Sequence, residues 1–134
     1  MRMFGLFVVF ILISTQTAPP TLQQGVYTDA QADRAKTTYA STCSSCHGES
    51  MEGSAQMPAL AGPEFLKHWD GQTLQDLFDK VQQTMPASDP GKLSNETTVD
   101  LLAFMLRSNK FPAAASTELK YDKELLKSIH IKSN

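Results

Sequence analysis

Apolar positions recur along the chain at helical spacing, and no segment alternates with period two for long enough to make a strand. Thr28 followed by Gln31 is a capping-box pattern, and Ala32, Ala35, Tyr39 and Cys43 then fall at intervals of three, four and four. This predicts one helix starting near Asp29 and running into the cysteines. Residues 48–62 carry three glycines and Pro58 without a regular apolar repeat, which predicts a loop. Pro63 after Gly62 suits the first position of a short helix holding Phe65 and Leu66. Thr73 with Asp76 three residues on marks another helix start, and Leu74, Leu77, Phe78 and Val81 form its buried face. Met85-Pro86 ends that helix, because the residue before a proline is pushed out of helical backbone. A turn at Pro90-Gly91 follows. Ser94 or Asn95 then caps a last strong helix, with Val99, Leu101, Leu102, Met105 and Leu106 inward, which stops near Asn109 and Pro112. The expected class is all-α, with about four helices and long loops.

The two ends read differently. Arg2 precedes an apolar run over residues 4–13 broken only by Gly5. At about 1.5 Å per helical residue that run reaches roughly 15 Å, half of a hydrocarbon core of about 30 Å. Residues 1–18 are therefore expected to be an export signal. Ala18 supplies a small residue for cleavage, but Gln16 and Pro19 match an A-x-A site poorly, so an uncleaved anchor stays open as the other reading. Residues 19–26 read as a polar linker and residues 27–112 as the folded domain. Residues 113–134 form a charged tail whose Leu125, Leu126 and Ile129 have docking spacing.

Composition narrows the function. The 134 residues carry 12 Lys plus Arg and 14 Asp plus Glu, a net charge of −2 that becomes −3 if Arg2 is removed. No basic surface is available to hold phosphates, which argues against nucleic-acid binding. Two cysteines are too few for a disulfide-stapled fold. Without its first segment the chain is near the small end for a self-sufficient core, and a buried cofactor would help it.

Those two cysteines stand as Cys43-Ser44-Ser45-Cys46-His47, which reads as a c-type haem attachment. Each thiol adds to one vinyl group, and two intervening residues let both sulfurs reach one edge of the macrocycle. The adjacent His then sits under the iron as a neutral imidazole. A thioredoxin-like C-x-x-C would want a βαβ pattern, which is absent, and zinc would need a second ligand pair. A structural disulfide would close only a very short loop.

Iron in such a protein usually takes a second axial ligand. Met51, Met57, Met85, Met105, His68 and His130 are the candidates. Met105 lies on the apolar face of its helix, and Met51 and Met57 belong to the loop after His47. Met85, ending a helix just before Pro86, is the expected thioether. A soft ligand of that kind favours Fe(II) and raises the reduction potential.

At this point the chain resembles class I, monohaem c-type cytochromes of the bacterial periplasmic kind, over roughly residues 26–112. The resemblance rests on Tyr39 before the Cys43-to-Gly48 motif, on Met57-Pro58-Ala59-Leu60-Ala61-Gly62, and on Thr84-Met85-Pro86. The Pro90-Gly91-Lys92-Leu93-Ser94 turn and the last helix ending at Asn109-Lys110-Phe111-Pro112 complete it. It implies a cytochrome c fold wrapped around one covalently attached haem c, with Cys43 and Cys46 as thioethers. His47 would be the proximal iron ligand, its other ring nitrogen donating to the Pro58 carbonyl, and Met85 the distal ligand. It also implies that the first helix crosses the last near Ala35, Tyr39, Leu101 and Phe104. Trp69 would either reach a haem propionate or serve as plain core.

The expected role is a periplasmic single-electron carrier and not an enzyme, passing electrons between a dehydrogenase and a respiratory acceptor. Residues 65–69 and the Thr84-Met85-Pro86 loop are similar to cytochrome subunits that serve quinoprotein dehydrogenases, which suggests such an enzyme as donor and an oxidase or other cytochrome as acceptor. Contact with a membrane is expected only if the first segment is uncleaved. The alternative is a haem protein with an open or displaceable sixth site that reduces peroxide or binds a gas. No distal His-Arg or acid pair stands next to Met85 to support it. A thiol-redox protein without haem is the third reading.

Overall fold

The structure, a computed structural model, describes residues 18–133. It contains α1 (Asp29–Thr42), α2 (Ser44–His47), α3 (Pro63–Trp69), α4 (Leu74–Thr84), α5 (Asn95–Ser108) and α6 (Lys123–Ser128), preceded by a single 3-10 turn at Leu22–Gln24. Among the described residues there is no strand, only an isolated antiparallel bridge between Thr73 and His130. None of their helices is long and apolar enough to cross a membrane. The expected signal segment falls almost wholly outside the described residues.

Local chemistry sets the helix starts. Thr28 accepts a hydrogen bond from the Gln31 N–H and opens α1. Thr73 and Asp76 exchange side-chain and backbone bonds in a full capping box at α4, and Ser94 accepts from the Thr97 N–H at α5. Such caps satisfy N–H groups that have no partner inside the helix, at about 1 kcal/mol each. Pro63 opens α3 behind Gly62, and Met85 ends α4 in extended backbone, as the following proline requires.

The most extensive helix pairing is α1 against α5. Ala32 and Ala35 are fully buried there beside Leu101, Leu102 and Ala103. Tyr39 meets Phe104 edge-on at 5.5 Å between ring centres, so the crossing lies where the resemblance implied. Alanine at 35 leaves room for close approach. Gln31 is buried beside this contact but fully used. Its amide donates to Asp100 at 3.0 Å and to the Leu119 carbonyl at 2.7 Å, and it accepts from the Leu119 N–H at 2.8 Å.

Both flanking segments join this core. In the segment read as a linker, Leu22 and Val26 are buried. Gly25 has φ +79, and a Cβ there would lie 2.6–2.9 Å from the Ala113 and Ala114 backbone. Close approach as well as backbone geometry therefore requires glycine. Tyr27 donates its hydroxyl to the Phe111 carbonyl, and the Ala114 N–H donates to the Tyr27 carbonyl, each at 2.6 Å.

The tail then runs along α1 and onto α4. Arg34 forks between Asp100 and Glu118, at 3.1 and 2.7 Å, which holds the Glu118 carboxyl below its ordinary range. Tyr121 stacks on Phe78 at 4.6 Å. Leu119, Leu126, Ile129 and Ile131 are buried, while the chain zips against the start of α4. The Leu74 N–H donates to Ile129 at 2.9 Å, the Ile131 N–H to Gln72 at 2.8 Å, and the Gly71 N–H to Ile131 at 2.7 Å. Burial of each aliphatic side chain favours the docked state by about 1.5–3 kcal/mol. The folded unit is larger than the stretch of sequence that carries the resemblance.

Candidate functional site

Cys43 closes α1 and opens α2, so the two cysteines and the histidine share one helical turn. The Cys43 carbonyl accepts from both Cys46 and His47, at 3.2 and 3.0 Å. Both thiols are free, Cys46 exposed and Cys43 half-buried. Burial, with Cys46 as a smaller influence, pushes the Cys43 thiol up. His47 is buried, and its Nδ1 lies 2.8 Å from the Pro58 carbonyl oxygen. A carbonyl can only accept, so this contact puts the proton on Nδ1 and leaves the Nε2 lone pair for another partner.

The loop after His47 is folded to hold Pro58 there. The Gly53 N–H donates to the His47 carbonyl at 2.8 Å, and the Ser54 N–H to the Met57 carbonyl at 2.8 Å. Gly53 has φ +69, with the Ala59 N and Met57 O 2.5–2.6 Å from where a Cβ would stand. Met51 is buried in this loop, and its carbonyl accepts from Leu60 and Ala61. Tyr39 donates its hydroxyl to the Gly48 carbonyl at 2.6 Å. Burial first, with Cys43 and Glu52 adding to it, pushes the Tyr39 hydroxyl to about 12, so it stays a donor.

Asn109 ties the loop's far end to α5. It donates to the Leu60 and Met105 carbonyls at 3.0 and 2.8 Å and accepts from the Gly62 N–H at 3.0 Å. In the sequence it marked only a helix end. Asn109→Ala strands a carbonyl and an N–H in partly buried surroundings, which costs about 2–3 kcal/mol. A guanidinium melt of the mutant is expected to show its midpoint lowered accordingly. A change below about 0.5 kcal/mol would mean that the loop keeps its place without this residue.

These pieces surround a cavity of about 780 Å³. Phe65 and Trp69 of α3, Leu77 and Val81 of α4, and Leu101 and Met105 of α5 give it apolar walls. Cys43, Cys46, His47, Pro58 and Met85 all line it, so the structure brings together every site residue named from the sequence. Of the other axial candidates, Met57, Met105 and His68 also line it, whereas Met51 is packed inside its own loop and His130 lies on the tail beside Thr73. Trp69 sits both in the wall and against Phe65 at 6.2 Å between ring centres. Among the described residues no group of three or more His, Cys, Asp or Glu could hold a metal ion by themselves.

The volume falls within the roughly 300–1,000 Å³ of cofactor pockets, and its lining is mostly hydrophobic and aromatic, as such pockets require. Two thiols one helical turn apart and an imidazole with a free Nε2 are the donors that a covalently attached porphyrin needs at one edge and on its iron. The residues present fit haem c.

An all-helical fold whose Cys-x-x-Cys-His turn opens into an apolar cavity defines a c-type cytochrome, an electron-transfer protein that carries covalently bound haem c and works with redox partners. More particularly, the chain belongs to the family described as cytochrome c oxidase, cbb3-type, subunit III, whose model matches residues 30–105. Among solved structures it is similar to a chain of the sulfane dehydrogenase SoxCD from Paracoccus pantotrophus. The two are 24% identical, with a TM-score of 0.54, over 96% of this chain and 67% of that one, which is a likeness of fold. No curated protein matches it.

Proposed function

We propose that this cytochrome is an exported, periplasmic single-electron carrier with His47 and Met85 as axial ligands and Cys43 and Cys46 as thioether attachments, passing electrons from a dehydrogenase to a respiratory acceptor. The observation that carries this reading is the convergence of all four side chains on one apolar cavity. The bound haem c supplies a one-electron Fe(III)/Fe(II) couple. The Pro58 carbonyl fixes the tautomer and orientation of His47 and makes it a stronger donor. Met85 adds a soft thioether, which favours Fe(II). Phe65, Trp69, Leu77 and Leu101 keep water from the centre, so that a change of charge there moves few solvent molecules.

The solved relative is a sulfane dehydrogenase by its title, which is in keeping with a dehydrogenase as donor. Residues 1–18 would direct export. Residues 27–112 would hold the haem, with the packed segments 19–26 and 113–133 completing the unit.

The test is expression in a host that matures haem c, followed by intact mass and potentiometric titration. One haem added per chain and a reversible one-electron wave are expected. A chain of unmodified mass whose two thiols react with iodoacetamide would overturn the reading in favour of thiol chemistry.

A further inference from the structure

Met85 closes α4 in extended backbone, with its N–H donating to the Val81 carbonyl at 2.9 Å. The stretch that follows offers little to hold it. Its internal bonds run from the Asp89 N–H to the Pro86 carbonyl at 2.9 Å and from the Lys92 N–H to the Asp89 carbonyl at 3.3 Å. The Asp89–Lys92 ion pair, at 3.6 Å, joins exposed side chains, and such pairs hold little. Yet Pro86, Ala87, Ser88 and Leu93 line the cavity together with Met85.

Gln82, one turn before Met85, closes this stretch. Its side-chain amide donates to the Leu93 carbonyl at 2.7 Å and accepts from the Thr98 hydroxyl at 2.6 Å. A carbonyl only accepts, so Leu93 fixes which end of the amide faces it and leaves Oε1 for Thr98. Thr98 is fully buried in α5, and its hydroxyl also lies 2.9 Å from the carbonyl of Ser94, the residue that caps that helix. One side chain therefore joins the two ends of the Met85 stretch to each other and to the start of α5. Gln82 stands outside the cavity lining, so it acts through its neighbours.

We propose that Gln82 is a positioning residue for Met85, and that by buckling this stretch to α5 it keeps the sixth position of the iron closed to small ligands. The proposal rests on Met85 being the distal ligand, and it concerns the oxidised protein most. A soft thioether favours Fe(II) over Fe(III). In the ferric state its retention depends on how soon a released Met85 returns, and a short stretch tied at both ends keeps its effective concentration high. With the buckle open, a solute reaches the iron before the thioether does.

The test follows imidazole binding to the ferric holoprotein through loss of the weak long-wavelength band of a sulfur-ligated haem. An Fe–S bond breaks and an Fe–N bond forms, with no change in oxidation state. Gln82→Ala is expected to speed binding on the order of 10-fold, because the Leu93 carbonyl and the Thr98 hydroxyl both lose a partner. Thr98→Val should speed it too, whereas Thr98→Ser keeps the hydroxyl and should stay within about 2-fold of the wild type. Gln82→Glu still accepts from Thr98 but meets the Leu93 carbonyl with a donor only while protonated. Its rate relative to the wild type should therefore rise with pH as the carboxyl ionises.

Tyr27→Phe separates positioning from stability, since it strands the Phe111 carbonyl away from the cavity lining. It should lower the guanidinium midpoint and leave the imidazole rate within about 1.5-fold. Equal acceleration in Gln82→Ala and Tyr27→Phe, an unchanged rate in Gln82→Ala, or a flat pH profile in Gln82→Glu would overturn the proposal while the wild-type band keeps Met85 as ligand. Should Gln82→Ala fail to fold, equal rates in Thr98→Val and Thr98→Ser would overturn it instead. A wild type that carries haem without the band would overturn Met85 ligation, and the role of Gln82 with it.

Discussion

Replacing both Cys43 and Cys46 by alanine is expected to abolish cooperative folding when no haem is added. The reason is the size of the space they serve. The cavity of about 780 Å³ is walled by Leu77, Leu101 and Met105 among others, and apolar walls left without their filling lose packing that grows with the volume left empty. A domain of this size has only about 5–15 kcal/mol of total stability. Water entering through the open side lowers the cost but gives the apolar walls no packing partner.

Without thioether bonds to keep a cofactor in place, Leu77, Leu101 and Met105 would have to collapse onto one another, and the α1–α5 contact would be pulled out of register. The measurement is a pair of guanidinium titrations followed by far-ultraviolet circular dichroism. The holoprotein should give one steep transition and the double variant a shallow drift. A steep transition in the variant, within about 1 kcal/mol of the holoprotein, would show that the cavity walls stand alone and that the cofactor is not part of the fold's stability.

Met85→Ala is expected to leave the fold and the attachment intact and to change the iron's electronic state. The oxidised wild type should show the weak long-wavelength band of a sulfur-ligated ferric haem, and the variant should lose it. Its reduction potential should fall by on the order of a few hundred mV, inside the roughly 0.8 V that axial ligands command. Cyanide should then bind to the variant far faster than to the wild type. Met105→Leu and Met57→Leu, which change the two other thioethers lining the cavity, should keep the band. If one of these loses it and Met85→Ala does not, the ligand is that methionine. If the wild type carries haem but has no such band, the sixth position is His68 or open, and peroxide reduction or gas binding replaces electron carriage.

Much of the site was legible because its parts are local. Cys43, Cys46 and His47 lie within one turn, and the caps at Thr28, Thr73 and Ser94 each act three residues away. Proline announces its effects at Pro63 and Met85 directly. The flanking segments were harder to read, for a physical reason. Leu22 and Val26 are too few and too mixed with glutamines to make a period, yet each finds a place in the core. The burial of Leu119 and Ile131 likewise depends on surfaces that only the folded body provides. Polar anchors are the least visible. Gln31, Thr98 and Asn109 are buried among partners far away in sequence, and nothing in the spacing of apolar residues marks a side chain whose worth lies in a remote carbonyl.

The clamp between the two flanks has a consequence in time. Tyr27 with Phe111, Arg34 with Glu118, Gln31 with Leu119 and Thr28 with Glu118 join residues 84 to 90 positions apart. Contacts of that span close late, because a long loop must be ordered before any of them forms. The cysteine turn leads the chain and the cavity walls follow it. Among the described residues the cavity is lined only by those between Tyr39 and Met105, and Cys46 stays exposed in the finished fold, so the late closing of the flanks completes the body without covering the cysteine turn.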